Sequence, residues 1–355
     1  MKIIRLSSIK QYRRFYATVY GGDLLYKDNK TALLPLVCGK RSSFRRNSWQ
    51  EMVAVAEVGK ILCQCVLIVH AYAPDRMNIA FFEALPNSAA AVRLLLIYAE
   101  EAAKRSGCSR LIAGMDGHLN YSMGFGGDCS SPPSFGESFD PPYYAAYFEG
   151  FLRIGLTSFQ DGINDVRRRV DADYRRFAAK MGQYRMEPSA IHKRSLSRYT
   201  DLSNAIFADH IGYFNRAYDE DYELFRSMMP ILGDHNLIFI KEGDLDIGYI
   251  FWYPDFNELV KPGSRFGVKE AAQYHLLRKP KTVKVVEIGV LPDYRDRGLV
   301  MLALKSAIDM VAEKMPATER VISSWIADGN TKSLLFAQRY TRNHYKDFAL
   351  YEKML

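Results

Sequence analysis

Residues 283–315 read VKVVEIGVLPDYRDRGLVMLALKSAIDMVAEKM, and no other stretch limits the possible folds as sharply. An apolar, β-branched run ends at Leu291. A short turn follows, with Pro292, Asp293 and the basic segment Arg295-Asp296-Arg297-Gly298. Apolar residues then recur at the helical period. The order is strand, basic glycine-containing turn, helix. Such a turn aims backbone N–H groups and a helix N-terminus at an anion.

The first half carries the same pattern. Residues 77–84 (MNIAFFEA) read as a buried strand, and Pro86-Asn87 as a helix start with Asn87 as N-cap. Residues 88–106 read as a helix, with Leu94, Leu95, Tyr98 and Ala102 on one side and Gly107 as its stop. Residues 110–114 read as a second strand. The counterparts in the second half are 283–290, 299–314 and 320–326, at a near-constant offset. This suggests an internal duplication, although β-α-β units are common enough to recur by chance. The first turn, Leu85-Pro86-Asn87-Ser88, has neither arginine nor glycine and lacks a phosphate cradle.

A chain of 355 residues favours two domains or one large one. The expected cut follows an amphipathic helix at 164–181, giving domains 1–183 and 184–355. Val166, Val170, Tyr174, Phe177 and Met181 form the apolar face of that helix. Arg167, Arg168, Arg169, Arg175, Arg176 and Lys180 form a basic face, either solvated or turned to RNA phosphates. Residues 121–144 are rich in Gly, Ser, Pro and aromatics. They predict a packed loop, either facing substrate or simply filling space. The second half opens with helices at 201–209 and 222–229 around Tyr213. Strands at 237–241 and 247–253 form a hairpin, and a short helix and a strand at 348–352 end the chain.

The net charge of +8 favours anionic partners such as nucleotides, CoA or RNA, or else marks a solvated basic surface. No apolar run is long enough to span a bilayer, so no membrane partner is expected. Five cysteines fit no disulfide framework, which leads to the expectation of a reducing, cytoplasmic setting. Cys63 and Cys65 would share one side of a strand as buried thiols. No metal-ligand pattern accompanies them. Glu287 is the only carboxylate inside the apolar strand and is a candidate base for an amine. None of the histidines lies in a recognisable nucleophile or metal motif; His118, beside Asn120, is the one to test. Oligomeric state is open.

Arg295, Gly298 and Val300 resemble the acyl-CoA-binding motif Arg/Gln-x-x-Gly-x-Gly/Ala of the GNAT superfamily of N-acyltransferases, with valine at the last small position. Asp328-Gly329-Asn330 resembles that family's second CoA-contacting segment. Gly117 to Phe125 (GHLNYSMGF), Pro141-Pro142-Tyr143-Tyr144 and Tyr253-Pro254-Asp255-Phe256-Asn257-Glu258 resemble bacterial proteins with two tandem GNAT-like domains. The resemblance implies a mixed α/β (α+β) fold, with a central mixed β-sheet flanked by helices in each of two tandem domains. The first domain would be degenerate. It implies acetyl-CoA or another acyl-CoA as co-substrate and a small-molecule amine as acceptor. A backbone N–H among Ile288, Gly289 and Val290 would polarise the thioester carbonyl. Arg295, Asp296, Arg297, Gly298, Leu299 and Val300 would present N–H groups to the pyrophosphate. Asn330 either touches the pantetheine arm or caps a helix. The family's acid position falls on Ala337, so Tyr340 substitutes or the thiolate leaves unaided. Asn120, Tyr121, Tyr144 and Tyr213 are the candidate acceptor-binding residues. Two rivals stay open: a donor of the aminoacyl-tRNA class, with tRNA as partner, and a non-catalytic binding protein.

Overall fold

The computed structural model describes residues Met1–Leu355. The chain divides into two compact units: residues 1–156, 260–266 and 347–355, and residues 157–259 and 267–346. This differs from the expected cut after residue 183. The helix Ile163–Met181 groups with the second unit because Val166 and Val170 are fully buried in that unit's core. The end of the chain joins the first unit. There Tyr351, Glu352, Lys353 and Met354 pair antiparallel with the strand Arg110–Ala113, and Phe348 and Ala349 pair with Phe125–Gly126. Strand patterning shows which side of a strand is apolar, but not which sheet the strand joins.

In the first unit the strands Lys2–Arg5, Ser48–Glu57, Lys60–His70 and Ala73–Ala84 run antiparallel in that order. The strand Arg110–Ala113 then pairs parallel with Ala73–Ala84, through the crossover helix Ala89–Arg105. Cys63, Cys65 and Leu67 face that helix in one core, with Leu95 and Ala99. All five cysteines are free, and Cys63 and Cys65 are fully buried. Gln64 lies between these two and points the other way. Its side-chain amide donates to the carbonyl of Tyr12, which places the helix Ile9–Tyr20 on the opposite face. The helix start expected at Asn87 is displaced by one residue. Ser88 is the N-cap, and Asn87 takes a left-handed φ of +60°. The loop at 121–144 is packed: Asn29 donates to the carbonyls of Ser134 and Glu137, and Phe135 meets Phe266 edge-on at 5.8 Å.

The second unit repeats the plan. The strands Tyr184–Ser189, Leu237–Glu242, Leu245–Pro254 and Thr282–Val290 run antiparallel in order. The strand Arg320–Ser323 pairs parallel with Thr282–Val290 through the crossover helix Leu299–Lys314. Residues 160–162 pair antiparallel with Arg320, Val321 and Ile322. Ile250, Trp252 and Val283 face the helices Ile163–Met181 and Leu299–Lys314 in one core. Tyr249 and Phe251 alternate to the other face and meet the helix Lys193–Ile206, which starts earlier than the expected 201. The next helix is Tyr218–Arg226. No helix is long and apolar enough to cross a membrane.

Candidate functional site

The strand Thr282–Val290 holds the site because its two edges are treated differently. Toward the neighbouring strand Leu245–Pro254 it stays paired through Val290, with a register break that leaves Val286 as a bulge. Toward Arg320–Ser323 the parallel pairing ends at Val285 opposite Ser323. Ser324 N–H closes it by donating to the Val285 carbonyl at 2.8 Å. Beyond that point the two strands have no shared ladder. Leu291 N–H donates to Ile247 on the paired edge. Backbone groups alternate sides along a strand, so the N–H groups of Ile288 and Val290 lie on the unpaired edge.

The strand's register breaks at Val286 and not at Gly289. Gly289 serves packing: a Cβ there would fall 2.5 Å from Ile206 Cγ2 and 3.2 Å from the Phe207 ring. The end of the helix Lys193–Ile206 therefore sits directly on the strand.

The basic turn follows. Leu302 N–H makes the first intrahelical bond, to the Gly298 carbonyl. The N–H groups of Leu299, Val300 and Met301 precede it and have no partner within the helix. Asp296 and Gly298 both have left-handed φ, +63° and +80°, which curls the chain into the helix start. Arg295 donates to the Ile206 carbonyl at 3.0 Å. Arg297 donates to the Asp293 carbonyl and lies over the Tyr294 ring at 4.7 Å, with its side chain exposed. Lys332 binds the Asp296 carboxylate at 2.7 Å. The turn thus combines open N–H donors with solvent-facing positive charge, which fits a pyrophosphate. Val300 is half-buried at the final motif position.

Glu287 is half-buried on the face opposite the main core. Tyr199 donates to its Oε1 at 2.8 Å, and Tyr249 donates to Oε2. Ser203 and Tyr249 share a hydrogen bond of 2.7 Å. Burial, with the Glu287 charge beside them, pushes the Tyr199 and Tyr249 phenols well above their ordinary range. They stay protonated and act as donors that fix the carboxylate. Sequence patterning missed both tyrosines; Tyr199 on the helix Lys193–Ile206 and Tyr249 on the strand Leu245–Pro254 share no motif.

The remaining candidates are spread more widely. Tyr340 is buried in the second core, and its hydroxyl donates to Asp173 at 2.8 Å. Burial and Asp173 raise that phenol, and its carbonyl accepts from Arg169. This ties Tyr340 to the helix Ile163–Met181 rather than to Glu287, so the structure does not support the acid role. Asn330 caps the helix Thr331–Tyr340 by accepting from Ser333 N–H at 3.1 Å. Tyr213 is buried and donates to Asn204 at 2.7 Å. Tyr121 packs edge-on against Phe44, and Asn120 N–H donates to His118 Nδ1. Tyr144 is a core residue, donating to Glu83 at 2.7 Å and accepting from Ala84 N–H at 2.9 Å.

The first unit has a bulge at the corresponding place, but its groups are already occupied. Pairing of Ala73–Ala84 with Arg110–Ala113 ends at Ile79 opposite Ala113, and the register against Lys60–His70 breaks between Ala80 and Glu83. Phe81 takes a φ of +50° there, and its N–H donates to the buried Asp116 carboxylate at 2.5 Å. Lys30, also buried, bridges Glu83 and Asp140. Burial pushes Glu83 up to about 7 although Lys30 opposes the shift.

No family model matches the chain, and no curated protein matches it in sequence. Solved structures do. A tandem GNAT protein from the clavulanic acid biosynthesis pathway is 12% identical, with 99% of this chain and 98% of that one covered and a TM-score of 0.54. A GCN5-related N-acetyltransferase from Sphaerobacter thermophilus is 9% identical, with 99% and 95% covered and a TM-score of 0.53. A GCN5-related glucosamine N-acetyltransferase region of a fungal multi-domain GH3 β-N-acetylglucosaminidase is 12% identical, with a TM-score of 0.59. That match covers 99% of this chain and 38% of the other. At such identities the likeness speaks for the fold alone. The chain has the GNAT-superfamily fold, in two tandem domains.

Proposed function

We propose that the chain is an N-acyltransferase that moves an acyl group from acyl-CoA to an amine, with its active site in the second unit. One observation carries this reading: the strand edge left open after Val285 runs directly into the glycine turn at the start of the helix Leu299–Lys314. A thioester lying along that edge could accept hydrogen bonds at its carbonyl from Ile288 or Val290 N–H, which would stabilise the oxyanion of attack. The pyrophosphate would meet the N–H groups of the turn, with Arg295 and Arg297 supplying charge. Glu287, held by Tyr199 and Tyr249, is placed to take the amine proton. With Tyr340 committed to Asp173, the thiolate leaves without a dedicated tyrosine acid. The first unit would be silent, because its bulge N–H is taken by Asp116.

The rival donor, aminoacyl-tRNA, draws on the basic helix Ile163–Met181. Arg168, Arg169 and Arg176 of that helix are paired with Asp165, Asp161 and Asp173, which leaves less charge for phosphates. Release of CoA thiol from acetyl-CoA in the presence of an amine panel tests the reading. Saturable CoA binding with acyl transfer supports it. No CoA binding at millimolar concentration would sink it.

A further inference from the structure

The Glu287 network contains a group that the proposed mechanism does not use. Arg216 lies at the end of the irregular segment that follows the helix Lys193–Ile206, and its side chain is 2% exposed. One guanidinium nitrogen, Nη1, faces the Tyr199 hydroxyl at 3.4 Å and Asp221 Oδ1 at 3.4 Å. The group lies over the Tyr199 ring at 5.1 Å and the Tyr213 ring at 5.9 Å. Its main-chain N–H is fixed by Asn204 at 2.9 Å. Its other edge, Nε and Nη2, is sealed from solvent and has no hydrogen-bond partner.

That edge is the one that grips a carboxylate with two parallel bonds. The same unit shows it twice. Arg198 holds Asp246 through Nε and Nη2 at 2.6 and 2.7 Å. Arg339 holds Asp173 through the same two atoms at 2.6 and 2.7 Å. In Arg216 the fork is formed and buried, but no residue fills it. A buried charged donor without a partner is strongly disfavoured unless something binds there.

Arg216 also reaches Tyr199, and Tyr199 reaches Glu287, the proposed base. We infer that the acceptor is a primary amine that also bears a carboxylate, of the amino-acid class, with its carboxylate on the Arg216 fork and its nitrogen toward Glu287. Such a zwitterion adds no net charge to a cluster that already holds Asp221 and Glu287. Tyr213, packed over the guanidinium, would close on the bound carboxylate. This inference rests on the acyltransferase reading. In the step, the bound ammonium first gives one proton through Glu287 to solvent, and the neutral amine nitrogen then attacks the thioester carbonyl and forms the C–N bond. The C–S bond breaks and the electron pair leaves on sulfur. The nitrogen's second proton passes to Glu287 and then to the thiolate, giving an N-acyl amino acid and CoA thiol.

The test compares amino acids with their decarboxylated amines, using acetyl-CoA and reading CoA thiol release and product mass. The proposal expects kcat/KM at least tenfold higher for members that carry the carboxylate. Arg216→Lys keeps the charge and loses the fork, so it should move that ratio toward one while CoA affinity, read by calorimetry, holds. Thermal stabilisation by amino acids in the presence of CoA is the companion measurement, and it also stands if the variant fails to fold. Equal or better turnover of the decarboxylated amines would overturn the proposal and leave the acyltransferase reading intact. So would CoA binding without any stabilisation by carboxylated amines. Failure to bind CoA at all would strike the underlying reading first.

Discussion

Glu287 as base and Tyr340 as a substitute acid were both catalytic candidates in the sequence, and their surroundings separate them. Glu287 receives two phenolic hydrogen bonds at the edge of an open strand, whereas Tyr340 gives its only proton to Asp173. Glu287→Gln should therefore lower kcat by roughly 10²–10⁴-fold, the usual worth of a general base, with CoA affinity unchanged. Tyr340→Phe should leave kcat near wild type and cost about 1 kcal/mol of stability, the net value of one buried hydrogen bond. A large loss of kcat in a stable Tyr340→Phe protein would restore the acid role. Glu83 offers a pH test in the first unit. Its folded value is raised from the ordinary 4.5 to about 7 by burial. The folded state thus holds a proton that the unfolded state releases. The resulting stability is complete below about pH 4.5 and is lost as the pH rises to about 7. Thermal melts across this window should show that decline, and Glu83→Gln should flatten it.

At the scale of elements, the strand–turn–helix of residues 282–314 was legible because β-branched residues, a glycine turn and a helical period follow one another without ambiguity. The hairpin 237–254 was legible for the same reason. The bulge at Val286 was not, because an apolar strand carries no mark of where its register breaks. Nor was the role of Gly289, which depends on Ile206 and Phe207 arriving from far along the chain. The turn also changes which variant tests it. Gly298 has a φ of +80°, and a Cβ would meet Met181 Cε at 2.9 Å, so any side chain there perturbs the fold as well as the site. Arg297 is exposed and donates to the Asp293 carbonyl within its own turn. Arg297→Ala should weaken CoA binding several-fold at low salt, and raising the ionic strength should shrink the difference. Identical CoA affinity at low salt would place the phosphates elsewhere.

On the scale of the whole chain, the duplication was readable, but the bookkeeping of its halves was not. The helix Ile163–Met181 and the final strand each join the unit opposite to the one their position suggests. Apolar periodicity reports burial and not partnership. The two units share a bulged strand beside a parting parallel pair, yet differ in what fills it. In the first, Asp116 takes the Phe81 N–H, and Lys30 is locked between Glu83 and Asp140. Lys30→Met would leave those carboxylates buried without their cation and should cost about 3–5 kcal/mol of stability, read by denaturant unfolding. In the second, the Ile288 and Val290 edge is open and leads to unpaired helix N–H groups. Calorimetric titration of the full chain with CoA tests this contrast most directly. The account predicts one site per chain, weakened by Arg297→Ala and indifferent to Glu83→Gln. A stoichiometry near two, or a single site lost with Glu83→Gln in a folded protein and untouched by Arg297→Ala, would contradict it.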